Sequence, residues 1–273
     1  MFNGKKKAVT FSYDDGTTQD IRLIELLNKY GLKSTFNINS GLLGTDKMLI
    51  RNGERIAHYK IAPHRLKEVY EGHEVAVHGL KHAFLSKLKP TEMVREVLED
   101  RRNLETDFDT LIRGMAYAYS DYSAEAIKVL KECGIVYSRA VASTLRFTFP
   151  ADFWAIQPTC HHNSEKLMEL AEKFVSTTSR YPSDNWLFYV WGHSYEFDDR
   201  DNWDVIERFA AYIGGKEDIW YATNIEIHDY VRAYEALAVS ADTTRVFNPT
   251  LIDVWFSENG KTYCAHAGET VTI

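Results

Sequence analysis

The sequence has few of the features that mark disulfide-rich, membrane-spanning or secreted proteins. It holds three cysteines, Cys133, Cys160 and Cys264, which lie far apart and form no CxxC pair. An odd and scattered count argues against a disulfide framework. No apolar run approaches the roughly 18 residues that a membrane-spanning helix needs, so we expect no membrane segment. Residues 1–16 lack the apolar core and cleavage site of a signal peptide, and we expect a cytoplasmic protein.

Positive charge is also scarce. The formal net charge is -7 and the pI is near 5.8. A mildly acidic protein has no general attraction for nucleic acid or for an anionic membrane surface, so neither is an expected partner. The basic cluster Lys5, Lys6 and Lys7 stands directly before an apolar run and is typical of a solvated strand entrance. The oligomeric state stays open.

Short β-rich runs alternate with amphipathic helical patterns along most of the 273 residues. This alternation predicts a parallel sheet with right-handed crossovers. The number of units favours a closed or nearly closed α/β barrel over residues 1–240. Residues 241–273 differ and predict a small appendage of two or three antiparallel strands, with a hairpin turn at Asn259 and Gly260. The predicted strands are 8–13, 34–38, 74–77, 111–117, 135–141 and 187–191, and the predicted helices are 19–30, 63–71, 90–106, 123–133, 164–176, 203–213 and 224–237.

Two adjacent carboxylates, Asp14 and Asp15, stand at the C-terminal end of the first predicted strand and are followed by Gly16. Active sites of parallel barrels form at that end of the strands. The two carboxylates repel each other unless something compensates, and a bound metal ion would do so. An Asp-Asp-Gly turn in a solvent-facing loop is the alternative interpretation.

Histidines follow two other predicted strand ends. His78 and His82 are four residues apart, so on one face of a helical turn both imidazoles would reach a single ion. Two histidines and one carboxylate suit zinc, and also cobalt, nickel or iron, and leave positions open for water and substrate. His193 ends a late apolar strand and titrates near neutrality, which makes it a candidate general acid. A core histidine with a satisfied hydrogen bond is the alternative for His193.

Three ordered segments resemble the signatures of the polysaccharide deacetylase family, the NodB-homology group also called carbohydrate esterase family 4. They are SYDDG (12–16), GHEVAVHGLKH (72–82) and WGH (191–193). The resemblance covers about residues 7–235 and leaves the β tail outside. It implies a distorted (β/α) barrel that binds a divalent metal ion, usually zinc.

The resemblance also assigns roles to residues. It implies that Asp14 is the general base and that Asp15, His78 and His82 are the metal ligands. His193 would be the general acid. This division of labour between the two aspartates comes from the resemblance, because the residues alone do not distinguish them.

One element of the family pattern is missing. The family's fourth strand carries an arginine directly before a Pro-Pro-Tyr-Gly-like turn. If Tyr119 is the family tyrosine and contacts substrate, Ala116 stands where the arginine belongs. Arg113 could substitute only through a shift of strand register, and a one-residue slip turns a side chain to the other face.

The family also uses an aspartate that braces this arginine. Asp152 is the nearest candidate, and it fits poorly. His161 and His162, at the end of another expected strand, are a speculative substitute for tuning the base, against the interpretation that they are loop histidines.

The function that the resemblance implies is removal of acetyl groups from N-acetylated sugars, with an acetylated carbohydrate as the partner. A divalent ion lowers the pKa of water toward neutrality. Asp14 would take the proton of the attacking water, and His193 would protonate the departing amine. Two alternatives stay open: an O-acetyl esterase or other amide hydrolase of the same fold, and a sugar-binding relative that has lost turnover. The sugar and its linkage cannot be read from a barrel sequence, because loops set substrate choice.

Overall fold

The computed structural model describes residues 4–51, 53–177 and 185–273. Its centre is an eight-stranded sheet in which all strand pairs are parallel. The strands in chain order are β1 (Lys7–Asp14), β2 (Ser34–Ile38), β3 (Met48–Arg51), β4 (Glu54–Ala57), β5 (Glu74–Val77), β6 (Gly114–Ala116), β7 (Tyr137–Arg139), β8 (Cys160–His161), β9 (Trp186–Gly192), β10 (Ile219–Tyr221), β11 (Ala238–Val239), β12 (Arg245–Phe247), β13 (Val254–Glu258), β14 (Lys261–Ala265) and β15 (Thr270–Thr272).

Helices connect the parallel strands and cover the outer face of the sheet. They are α1 (Asp20–Lys29), α2 (Leu66–Val69), α3 (Pro90–Phe108), α4 (Ala124–Glu132), α5 (Leu167–Ser176), α6 (Glu196–Asp199), α7 (Trp203–Ile213) and α8 (Asn224–Glu235). Short 3-10 turns occupy 40–42, 63–65, 85–87 and 118–120. Within the described ranges no helix is both long and apolar enough to cross a membrane.

Strand β1 is the centre of the sheet. It pairs with β9 along one edge, while β10 pairs with its first residues and β2 with its last ones. All eight of its residues are buried. Because side chains alternate along a strand, Val9, Phe11 and Tyr13 pack into the main apolar core. The alternate residues Ser12 and Asp14 face the interior of the curled sheet.

The interior of the curled sheet is polar and hydrogen-bonded. Arg139 of β7 reaches Ser12 of β1, although three strands lie between them in the order β7-β6-β5-β2-β1-β9-β8. A contact between such distant strands must cross the inside of the barrel. Buried polar groups require partners, and the side chains that point inward supply them to one another. The predicted (β/α) barrel is therefore confirmed.

The barrel closes through an irregular seam. In the described part of the chain, β7 and β8 do not pair directly, and an isolated parallel bridge joins Arg139 to Ile156 between them. The main-chain N–H of Ser138 also donates to the carbonyl of Phe153 over 2.8 Å. The predicted strands 111–117 and 135–141 are accordingly shorter than expected, because only their middle residues face a regular neighbour.

The C-terminal appendage is larger than predicted. It has five strands in two small antiparallel sheets, β11-β12-β15 and β13-β14. The predicted hairpin turn is confirmed, with φ of 50° at Asn259 and 77° at Gly260, as a tight turn between two strands requires. The appendage contacts the barrel where the main-chain N–H of Trp255 donates to the hydroxyl of Tyr230 over 2.9 Å. The division at residue 240 stays a prediction.

Candidate active site and metal centre

The predicted site residues meet at the carboxyl ends of three parallel strands. Asp14 is the last residue of β1 and Asp15 follows it. His78 comes directly after β5, and His193 directly after β9. Because the carboxyl ends of parallel strands share one edge of a sheet, residues far apart in the chain come together there.

Asp15, His78 and His82 form a group whose ligand atoms all lie within 4.8 Å of one another. The Oδ1 atom of Asp15 is 4.0 Å from Nε2 of His78 and 3.7 Å from Nε2 of His82. The Nδ1 atom of His78 lies 2.8 Å from the carbonyl oxygen of Ala116, which can only accept, so Nδ1 carries the proton. This tautomer leaves the lone pair of Nε2 free, and that buried atom has no hydrogen-bond partner in the described residues. The group therefore fits a divalent ion that prefers nitrogen and carboxylate ligands.

The two histidines converge through a loop and not through a helical turn, so that expectation was wrong. Residues 78–82 contain no helix, and the chain turns through positive φ at Gly79 (83°) and His82 (58°). The N–H of Lys81 donates to the Glu96 carboxylate of α3 over 2.9 Å, which anchors the loop. Because Gly79 has no side chain, the chain can reverse sharply there and return His82 toward Asp15.

The base candidate Asp14 is held by Arg139, a residue that the sequence reasoning did not single out. Arg139 is fully buried and donates through one terminal nitrogen to both carboxylate oxygens of Asp14. Asn37 donates to Oδ1 of the same carboxylate over 2.8 Å. The arginine expected on the fourth strand therefore comes from the next strand, β7, while Ala116 contributes its main-chain carbonyl to His78.

Arg113 and Asp152 do not take part in the site. Arg113 precedes β6, at the opposite end of the sheet, and pairs with Asp229 of α8 over 2.6 and 3.1 Å. Asp152 is exposed and accepts the main-chain N–H of Trp154. Neither the register shift considered for Arg113 nor the bracing role considered for Asp152 occurs.

Electrostatics keeps both aspartates ionised. Burial alone would raise the pKa of Asp14, but Arg139, with smaller contributions from His78 and His193, lowers that pKa below its ordinary value. Burial likewise opposes ionisation of Asp15, yet its neighbours hold its pKa well below the usual range. A carboxylate that stays charged is ready to accept a proton or to bind a cation.

The segment 41–62 between β2 and α2 supplies two of those neighbours of Asp15. It forms the β3–β4 hairpin, and the segment after β4 brings His58 and Lys60 against Asp15. Nε2 of His58 lies 3.4 Å from Oδ2 of Asp15. The Lys60 ammonium lies 3.4 Å from Oδ1 and donates to the main-chain carbonyl of Asp15 over 2.6 Å. A buried ammonium thus faces the carboxylate that is expected to bind the metal.

The acid candidate His193 lies between the two carboxylates of Asp14 and Glu196. Its Nε2 is 3.9 Å from Oδ2 of Asp14, and its Nδ1 is 3.5 Å from Oε1 of Glu196. Burial alone would lower the pKa of His193, but Glu196 and the two aspartates raise that pKa above its ordinary value. A histidine protonated near neutral pH can act as a general acid.

Tyr119 lies beside the metal triad at the mouth of the site. Its ring is 58% exposed, stacks on Phe84 at 4.0 Å between centroids and meets the His82 ring at 4.4 Å. Its φ of 56° turns the short 3-10 segment after β6 outward. Two stacked, accessible rings next to His82 offer a flat aromatic surface of the kind that can contact the face of a sugar.

Sequence reasoning missed Arg139, Lys60 and Glu196. Arg139 gave one signal, because an arginine at the end of a short apolar-flanked strand is unusual in a buried sheet. Lys60 lies in an irregular insertion, where no periodicity indicates which side chain turns inward. Glu196 is three residues after His193, a spacing that brings two side chains together on one turn of chain.

Comparison with known families and structures gives evidence that is independent of the geometry of the site. The family model described as polysaccharide deacetylase matches residues 3–138, about half of the chain. The match includes both aspartates, His78, His82 and Tyr119 and ends before Arg139 and His193. None of the curated protein sequences matches this chain.

Among solved structures, a putative polysaccharide deacetylase from Mycobacterium smegmatis is similar in fold, with a TM-score of 0.57 and 16% identity over 85% of this chain and 92% of the other. For a deacetylase from Streptococcus pyogenes in complex with acetate, the TM-score is 0.49 and the identity 16%, over 56% of this chain and 64% of the other. The match therefore spans less than two thirds of the streptococcal chain.

A further similar structure is a carbohydrate esterase family 4 pseudoenzyme from Bacillus anthracis, with a TM-score of 0.48 and 14% identity over 82% of this chain and 66% of the other. At 16% identity, the mycobacterial structure indicates a shared fold and not a shared activity. The motifs at the strand ends, the barrel and the family match agree with one another, and this chain belongs to the polysaccharide deacetylase family.

Proposed function

We propose that this protein is a metal-dependent deacetylase that hydrolyses the N-acetyl groups of a carbohydrate. The observation that supports this most directly is the placement of the triad Asp15, His78 and His82 beside Asp14 and His193 at one barrel end. A ligand set, a charged base and a protonated acid within one cleft are the parts that amide hydrolysis needs.

Asp15, His78 and His82 would hold the ion. Burial lowers the pKa of His78 and lowers that of His82 to about 4, so both imidazoles are neutral and able to donate a lone pair at neutral pH. When bound, a divalent ion supplies Lewis acidity and lowers the pKa of water toward neutrality. Three protein ligands leave room for water and for the acetyl oxygen.

Asp14 would accept the proton from the attacking water. The bonds from Arg139 and Asn37 occupy its carboxylate from the inner side and fix its orientation. Because Arg139 keeps the pKa of Asp14 low, the carboxylate is ionised in the resting enzyme at neutral pH. A positioned base of this kind typically contributes a factor of roughly 10²–10⁴ to the rate.

His193 would deliver a proton to the departing nitrogen through Nε2, which faces the site. An amine leaves poorly as an anion, so cleavage of the C–N bond needs this proton, whereas an alkoxide from an ester needs it less. A protonated His193 meets the need of an N-acetyl substrate, and an O-acetyl ester stays the alternative. In the net reaction the amide and one water give acetate and the protonated amine, and the proton that Asp14 took from water returns to His193 to restore the resting state.

The rings of Tyr119 and Phe84 would contact the sugar. Both are exposed at the rim, and they stack on each other at an interplanar angle of 7°. A flat aromatic surface next to the ligand His82 would place an acetamido group over the metal triad.

The test is acetate release by zinc- or cobalt-loaded protein from N-acetylglucosamine oligomers, peptidoglycan fragments and acetylated xylan. Asp14→Asn should lower the rate by at least about 10²-fold while the fold survives. Asp204→Asn, the same change at an exposed position of α7, is the matched control and should leave the rate unchanged. Metal-loaded protein that binds these oligomers without releasing acetate would contradict the proposal and indicate a binding protein.

A further inference from the structure

Three histidines surround a single carboxylate next to the acid candidate. Glu196 opens helix α6, and its main-chain N–H donates to the carbonyl of His193 over 3.1 Å, so a turn of chain places its carboxylate at the ring of that histidine. Oε1 lies 3.5 Å from Nδ1 of His193. Oε2 lies 3.0 Å from Nε2 of His161 and 3.1 Å from Nε2 of His162, both from the end of β8.

The tautomer of His161 follows from its neighbour. The main-chain N–H of Asn163 donates to Nδ1 of His161 over 3.1 Å, so Nδ1 is unprotonated and the proton of the neutral ring is on Nε2. Nε2 is also the nitrogen that lies next to the Glu196 carboxylate. In this tautomer Nε2 has no lone pair to offer, so these residues are better suited to hold an anion than a second metal ion.

The tautomer of His162 follows from its packing. The ring is fully buried and stacks between Tyr13 and Phe197, at centroid distances of 5.6 and 4.2 Å. Its Nδ1 edge abuts Gly192 so closely that an added Cβ would lie 2.1 Å from that nitrogen. A proton on Nδ1 would be buried with no acceptor nearby, which is costly, whereas Nε2 lies 3.1 Å from Oε2 of Glu196 and a proton there has a carboxylate beside it.

We propose that Glu196 is a positioning residue, held by His161 and His162, that fixes the ring of His193 with its proton on Nδ1 and its Nε2 toward the substrate. Two neutral imidazoles stabilise the glutamate as an anion without adding positive charge of their own. The negative charge of Glu196 then stabilises the positive charge of one group, the protonated ring of His193. The acid role of His193 in this inference rests on the proposed function. The orientation of its ring by Glu196 does not depend on the proposed function.

The first measurement reads the tautomer directly and needs no turnover. Long-range ¹H–¹⁵N correlation spectra of zinc-loaded protein with labelled histidines report which nitrogen of each ring carries a proton. At a pH high enough for the His193 ring to be neutral, we expect it to keep its Nδ1 proton in the wild type and to become a mixture of tautomers in Glu196→Gln, whose amide cannot accept from three imidazoles at once. Glu196→Asp keeps the charge and should restore part of the wild-type signal. An unchanged His193 signal in Glu196→Gln would overturn the proposal.

The second measurement separates positioning from a merely structural role. With Glu196→Gln, kcat for an N-acetyl substrate should fall roughly 10²–10³-fold with little change in KM, because proton delivery is lost and binding is not. An O-acetyl substrate should lose at least about tenfold less, because its leaving group needs less acid assistance. Equal losses on both substrates would contradict the proposal. Glu172→Gln, on the exposed face of α5, is the matched control.

The two measurements keep the proposals distinguishable. A tautomer change in Glu196→Gln without acetate release by the wild type would refute the deacetylase function and leave the positioning role standing. Zinc titration adds a third criterion. We expect one equivalent that is lost in His78→Ala and kept in His162→Phe, whose ring preserves the stacking. A second equivalent that is lost in His162→Phe would show that Glu196 is a metal ligand and would overturn the positioning role.

Discussion

Replacing Arg139 by methionine is the most informative perturbation of this site. Arg139 and Asp14 form an ion pair in which both side chains are buried, at 0% and 3% exposure. Methionine removes the charge, leaves the carboxylate without its main partner and keeps much of the side-chain volume. At a separation of about 4 Å and an effective dielectric constant near 20, the lost attraction is about 4 kcal/mol. Measured losses for buried pairs broken on one side are also about 3–5 kcal/mol.

Urea unfolding of Arg139→Met at several pH values measures this free energy. In the wild type the folded-state pKa of Asp14 is lowered, so the pair contributes stability above the unfolded-state pKa and loses it as the pH falls through the folded-state value. In the variant the pKa of Asp14 should be raised by burial. The loss of stability should therefore be largest at neutral pH and shrink as the solution becomes acidic.

Arg113→Met is the matched control, because Arg113 makes two similar bonds to Asp229 at the surface, with 34% and 41% exposure. Exposed pairs contribute about 0–1 kcal/mol, so this variant should be nearly as stable as the wild type. Adding Asp14→Asn to Arg139→Met should recover part of the loss, because the buried charge is then gone. Equal losses in the two arginine variants, or no recovery in the double variant, would refute the reasoning.

Further predictions concern pH, metal affinity and packing. Burial raises the pKa of Asp20 to about 7, as it does for Glu74 and Asp100. The unfolded chain loses these protons first, so the three groups lower the free energy of unfolding between pH 4 and 7, roughly the unfolded and folded pKa values. Asp20→Asn should make that slope less steep in urea titrations, and an unchanged slope would contradict the assignment. Lys60→Met should tighten zinc binding at least tenfold in calorimetry, because it removes a cation 3.4 Å from the Asp15 ligand atom; weaker binding would mean that Lys60 positions Asp15. Gly192→Ala should cost about 1–3 kcal/mol in the same unfolding assay, because its Cβ would overlap His162; a smaller loss would show that the ring can move.

Much of the fold could be predicted because it depends on local patterns. The strands 34–38 and 74–77 and the helix 203–213 were predicted with the bounds that the structure has. In each case alternating or 3.6-residue apolar periodicity coincides with turn or capping residues. The strands beside the seam were predicted too long, because pairing partners set the ends of β6 and β7 and the sequence does not reveal those partners.

That Asp15, His78 and His82 would come together could also be predicted, because strand ends in a parallel barrel meet at one place. His82 lies beside Asp15 as expected, although a loop and not a helical turn brings it there, and its role as a ligand stays a prediction. The roles assigned to Asp14, His193 and Tyr119 stay predictions that the proposed assays test.

The partner of Asp14 could not be predicted in the same way. A guanidinium can reach a point inside a barrel from several strands, and the family pattern fixes only one of them. Arg139 starts one strand further along the sheet than expected and ends at the carboxylate that the pattern requires. Because an arginine side chain is long and flexible, the place of its charge in the folded protein cannot be read from its position in the sequence.

The pairing of β1 on both edges has a consequence for how the site moves. Amide protons of a central, fully buried strand exchange with solvent only through large-scale opening, whereas the hairpin and the loops exchange through small local fluctuations. Asp14 and Asp15 therefore extend from the part of the molecule expected to open least often, while His58 and Lys60 reach Asp15 from the segment that follows the β3–β4 hairpin. In a deuterium-exchange experiment, metal binding should slow exchange in residues 58–61 and 78–82 and leave β1 as slow as it already is. The barrel would then act as a rigid half of the site, and the adjustment to metal or substrate would fall to the loops.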